Sequence, residues 1–104
     1  MEKLIQNALQ DLIDGVNTTG SAIHPHDEIR IKTYLRAIYK MDNGKYSLDC
    51  NEVRDFLSSN GKCTPLFINA FLKFVRDKNE GKHHKGIDHN LKISFLKKKW
   101  SQKS

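Results

Sequence analysis

A chain of 104 residues with 38% hydrophobic and 29% charged side chains can fold one domain around one core, and its two cysteines make no CxxC pair. No apolar run approaches the roughly 20 residues that cross a bilayer, which excludes a membrane-spanning helix. The formal net charge is +6, and all of it resides in residues 82–104, where Lys82, Lys85, Lys92, Lys97, Lys98, Lys99 and Lys103 are set against Asp88 alone.

The N-terminal segment spaces its apolar residues as a stripe. Leu4, Ile5, Ala8, Leu9, Leu12, Ile13 and Val16 fill one half of a helical wheel, and Glu2, Gln6, Asn7, Gln10, Asp11 and Asp14 line the other. That spacing predicts an amphipathic helix and not a signal peptide, so the expected location is cytoplasmic. Val16 to Ser21 reads as a break.

A second helix is expected to start near His26 or Asp27, just after Pro25, with Ile31, Tyr34, Leu35, Ile38 and Met41 as its apolar stripe. Lys32, Arg36 and Lys40 follow at i+4 steps on the opposite face. Asp42-Asn43-Gly44 ends it as a turn. That turn and the residues after it do not make a calcium loop, because every register puts Met41, Tyr46 or Cys50 where an oxygen ligand or a glycine is needed.

The third helix opens on Asp49 with Glu52 three residues on, a capping-box pattern, and buries Val53, Phe56 and Leu57 before stopping at Ser58-Ser59-Asn60-Gly61. Thr64 as N-cap and Pro65 in the first position open the fourth. Its apolar residues (Leu66, Phe67, Ile68, Ala70, Phe71, Leu72, Phe74 and Val75) cover more than half the circumference, which marks it as the central helix, with the first helix laid across it. Cys50 and Cys63 would stand near opposite ends of a segment about 15 Å long, beyond disulfide reach, and both are read as reduced.

Residues 82–104 divide from the 1–81 helical body as a basic C-terminal arm. Leu91, Ile93 and Phe95 alternate as in a strand, whereas Ile93, Leu96 and Trp100 sit at helical spacing. Asp88 as N-cap and lysines in the later turns favour a fifth helix, docked by Ile93, Leu96 and Trp100. The fold class is therefore all-α, a single small domain of four to five short helices.

For function, the residues point to binding rather than catalysis. No Gly-rich phosphate loop, nucleophile elbow or zincin helix is present, so no enzyme, cofactor or small-molecule substrate is implied. His84, Asp88 and His89 are the best metal-ligand set, but they lack the spacing of a zinc site. Val53 to Phe67 has the form of a helix-turn-helix, with Gly61 where a left-handed residue is needed and Thr64, Asn69, Lys73 and Arg76 free to meet a groove. The bulky Leu57, where such motifs use a small residue, favours a plain helical hairpin.

Two expectations remain. One is a protein-interaction or self-associating module, engaging a protein partner or a second copy through surplus apolar surface of helices one and four. The alternative is a nucleic-acid-binding accessory protein, with Lys32, Arg36 and Lys40 on one face and Lys92, Lys97, Lys98 and Lys99 around Trp100 meeting phosphates. Leu91 and Phe95 dilute the last segment's amphipathic character, which sets a membrane surface aside.

Overall fold

The computed structural model describes residues 1–17, 23–41, 47–79 and 93–102. They form five helices, α1 (Lys3–Asp14), α2 (Pro25–Lys40), α3 (Cys50–Ser58), α4 (Pro65–Asn79) and α5 (Ile93–Ser101), with no strand among the described residues. None is long and apolar enough to cross a membrane. The Asp42–Tyr46 stretch, Lys92 and the His84, Asp88 and His89 set lie outside the described residues.

Local chemistry explains the helix starts. Asp49 Oδ1 accepts from the Asn51 and Glu52 amides at 2.8 and 3.1 Å, satisfying two otherwise orphaned donors of α3. Thr64 Oγ1 does the same for Phe67 N at 3.2 Å ahead of Pro65. α2 begins one residue earlier than expected. Pro25 is its first residue, and His24 Nδ1 accepts from His26 N at 3.3 Å. Proline suits that position because its missing N–H would have had no intrahelical partner.

The packing order corrects the expectation that α4 is central. α2 is the hub, contacting α1, α4 and α5, while α3 packs chiefly on α4 and α5 chiefly on α1. Counting apolar residues overrated α4, whose Leu66 is 55% exposed and whose Phe74 is half-buried. It underrated α2, where Ile31, Leu35, Ala37 and Ile38 are sealed from solvent. Leu9, Leu12, Leu35 and Ile38 each contribute on the order of 1.5–3 kcal/mol by leaving water.

α2 and α4 run in parallel register. Lys32 Nζ stands 5.5 Å from the Phe74 ring centroid, and further along both helices the Tyr39 hydroxyl donates to Asn79 Oδ1. Tyr39 also accepts from Leu48 N at 3.3 Å, and Asn79 Nδ2 donates to Leu48 O at 3.0 Å. The segment leading into α3 is thereby tied to the ends of both helices.

The α3–α4 connection is a plain hairpin turn. Asn60 Oδ1 accepts from Lys62 N at 3.0 Å, and Cys63 N donates to Asn60 O at 3.1 Å. Gly61 does not hold the left-handed conformation expected of it, and a Cβ there would meet nothing within 4 Å. The Asn60 side chain shapes this turn.

Candidate functional site

The end of α1 has no basic residue in its last turn, and two distant cations supply what its sequence lacks. Arg30 of α2 donates through Nε to Leu12 O at 2.9 Å and through a terminal nitrogen to Asp11 O at 2.6 Å. Lys62, from the α3–α4 turn, donates to Ile13 O at 3.0 Å. The exposed carbonyls at a helix C-terminus carry partial negative charge, so both cations sit where that charge is concentrated. Arg30 reaches it by passing over Gly15, where a Cβ would come within 2.2 Å of the guanidinium carbon.

Asp11 joins this end to α5. Its Oδ2 accepts from Trp100 Nε1 at 2.9 Å and from the Tyr34 hydroxyl at 3.1 Å, and its Oδ1 accepts from Lys99 Nζ at 3.2 Å. Arg30 adds a longer ion pair at 3.8 Å. One turn earlier, Asn7 Nδ2 donates to Trp100 O at 2.8 Å. Asn7 and Asp11, expected on the solvent side of the first helix, are buried because α5 covers that side. Burial alone would raise the Asp11 carboxyl, but the bonds from Trp100, Lys99 and Tyr34 outweigh it and hold the group below its ordinary value. A carboxylate so fully occupied anchors a helix and has little capacity left for catalysis.

The outer side of α5 is different. Phe95 is 63% exposed, and with Lys98, Lys99 and Gln102 it lines a depression of about 450 Å³. The inner side is spent on Trp100, which is fully buried against Tyr34 (ring centroids 5.8 Å apart), and on half-buried Leu96. Around Met1, a second depression of about 310 Å³ is lined by Glu2, Asp49 and Glu52. Asp49 there is the α3 cap, and Glu52 faces the Met1 ammonium at 3.6 Å.

The cationic stripe of α2 faces α4. Lys32 pairs with Glu28 at 2.8 Å and lies over Phe74; Arg36 is half-buried and Lys40 exposed. Lys78 of α4 joins them. Its ammonium is held below its ordinary value, first by burial and then by the charges of Arg36 and Lys40.

Residues 1–101 match the domain of unknown function DUF1889. The chain belongs to the DUF1889 family. No curated protein matches it, and no solved structure does. The matched span takes in all five helices, so the Asp11 clasp, the Phe95 face and the α2–α4 cations all lie inside the DUF1889 domain.

Within that domain the residues singled out from sequence fall into two groups. Lys97 (half-buried), Lys98 and Lys99 are on α5, beside the α1 and Tyr34 edge of α2. Lys32, Arg36 and Lys40 occupy the α4 edge, so α2 stands between the two sets. Sequence reading missed Lys78, whose importance depends on the parallel register of α2 and α4. It also missed Tyr34 as a polar partner, because a tyrosine in an apolar stripe reads as core. No metal-competent cluster of His, Cys, Asp or Glu is present among the described residues. Cys50 and Cys63 are free thiols, and burial pushes Cys63 up despite the opposing charge of Lys62.

Proposed function

We propose that this protein is a non-catalytic interaction module whose docking face is the outer side of α5 and whose partner presents an acidic surface. The observation that carries the reading is Phe95: a large aromatic left 63% exposed on a helix whose inner face is already locked by Trp100. Lys98, exposed beside it, adds the positive rim that recruits carboxylates, while the aromatic supplies the apolar anchor of a hot spot. An acidic partner is favoured over a second copy because each chain carries +6. The apolar faces of α1 and α4 offer less for self-association than expected, since they line the core and leave Leu66 as the large exposed residue of α4.

The nucleic-acid reading is second. The cation excess around α2 and α4 supports it, but it works best when both lysine groups meet one duplex, and α2 holds them on different edges.

The test is photo-crosslinking in cells from position 95, with Ser58, exposed on α3, as the control position. A discrete adduct with an acidic protein, seen from 95 and lost in Lys98→Glu, is expected. Equal adducts from both positions, or none from 95, would end the reading.

A further inference from the structure

We propose that the outer face of α5 receives a helix: an amphipathic segment of the partner, acidic in its first turn, lying antiparallel to α5. The inference rests on the reading of this face as a docking surface for an acidic protein, and it adds the form and direction of what docks. Its basis is the spacing of the lining residues. Phe95, Lys98, Lys99 and Gln102 line the depression of about 450 Å³, and they stand at i, i+3, i+4 and i+7. Gln102 N donates to Lys98 O at 3.2 Å, so the helical path runs through all four. Those positions form one seam of about two turns, roughly 10 Å long, and such a seam is what one helix offers another.

Other occupants fit it poorly. An extended segment adds to a sheet edge, and there is no strand among the described residues. A helix spends its amides internally, so α5 has no row of donors for a strand to take up. A polyproline segment docks in an aromatic-lined groove, whereas Phe95 is the large apolar residue that α5 exposes. A second helix needs only side chains that interlock with the seam.

Charge sets the direction. Residues 93–102 include Lys97, Lys98 and Lys99 and no acid. Lys99 is engaged by Asp11, so Lys98 is the cation that the seam has to offer. A matching helix places a carboxylate at the level of Lys98 and an apolar side chain at the level of Phe95, nearly one turn back along α5. Carboxylates are favoured in the first turn of a helix, beside its positive end. With acids in that turn meeting Lys98 and an apolar residue three or four positions later meeting Phe95, the partner runs opposite to α5. Opposed macrodipoles add to the attraction. Carbonyls at the end of α5 are a weak obstacle to the arriving acid, because Lys97 O, Lys98 O and Trp100 O already accept from Ser101 Oγ, Gln102 N and Asn7 Nδ2.

The experiment places a photoreactive benzophenone side chain at position 95 and, separately, at position 102 of the full chain in cells. Both adducts are then mapped on the captured protein by mass spectrometry. An antiparallel helix should be labelled at sites about seven residues apart and in reverse order, the site from 102 nearer the partner's N-terminus and beside acidic residues. Lys98→Glu should cut both adducts by about tenfold or more, with unchanged Trp100 emission showing that α5 stays docked. Sites about three residues apart would mean an extended segment, forward order a parallel helix, and sites on distant segments a folded surface. Each of those outcomes, or an adduct from 95 with none from 102, overturns the helix proposal and leaves the docking face standing. No adduct from 95, or capture of nucleic acid or of a second copy of this chain, overturns both.

Discussion

Trp100 donates its indole N–H to the carboxylate of Asp11 at 2.9 Å across 89 residues of sequence, inside the core. The indole is fully buried, and an indole has one donor and no acceptor, so a buried tryptophan needs a partner aimed at that one atom. Asp11 provides it while also serving Tyr34 and Lys99. One carboxylate on α1 thereby joins the Asn7 bond and the apolar packing of Trp100 in holding a lysine-rich helix on the body.

Removing that carboxylate should loosen α5 before it unfolds the rest. In Asp11→Ala the buried Trp100 indole loses its acceptor, at about 1–3 kcal/mol, and the half-buried Tyr34 hydroxyl loses one that water can partly replace. Trp100 is the sole tryptophan, so its fluorescence reports α5 docking directly. The emission maximum should move to longer wavelength, and the urea midpoint should fall. Unchanged emission would mean that apolar packing alone seats the helix.

The same carboxylate makes stability depend on pH in a defined direction. Asp11 is held below its ordinary value in the fold, so the unfolded chain takes up a proton more readily than the native one as the solution is acidified. Its contribution is complete above about pH 4, the ordinary aspartate value, and is lost as the pH falls through the lower native value. Urea midpoints measured between pH 7 and pH 3 should decline at the acid end, and Asp11→Asn should flatten that decline. An equally steep acid limb in the variant would place the titrating group elsewhere.

Two glycines should respond in opposite ways to the same substitution. Gly15→Ala forces a methyl against the Arg30 guanidinium and dislodges it from Leu12 O and Asp11 O, where charged hydrogen bonds are worth about 1.5–3 kcal/mol. Gly61→Ala meets open space at a φ outside the left-handed range, so it should stabilise by about 0.4–1 kcal/mol through the unfolded chain. Thermal melts of the two variants check both signs.

Much of the fold was legible because it rests on local rules. The stripe from Leu4 to Val16, the Asp49 cap and the Thr64-Pro65 start each need only neighbours a few residues away, and each appears where the pattern puts it. The last segment was harder, since Leu91, Ile93 and Phe95 alternate like a strand. Helix follows there because its alternative spacing carries Trp100 into the core. Of the candidate site, the α2 stripe could be traced by counting in fours, whereas Lys78 could not be linked to it.

Composition and periodicity alone determined that the first four segments are helical, roughly where those helices start and stop, and that the positive charge gathers toward one terminus. Those properties are short-range: hydrogen bonds, caps and apolar spacing act within a turn or two. Tertiary structure decided that α2 is the hub, that Asn7 and Asp11 are buried, that Arg30 and Lys62 close the end of α1, and that Phe95 is left outward. Each of those depends on which helix lies against which, and a polar residue on a helix face is solvated or buried according to a neighbour tens of residues away.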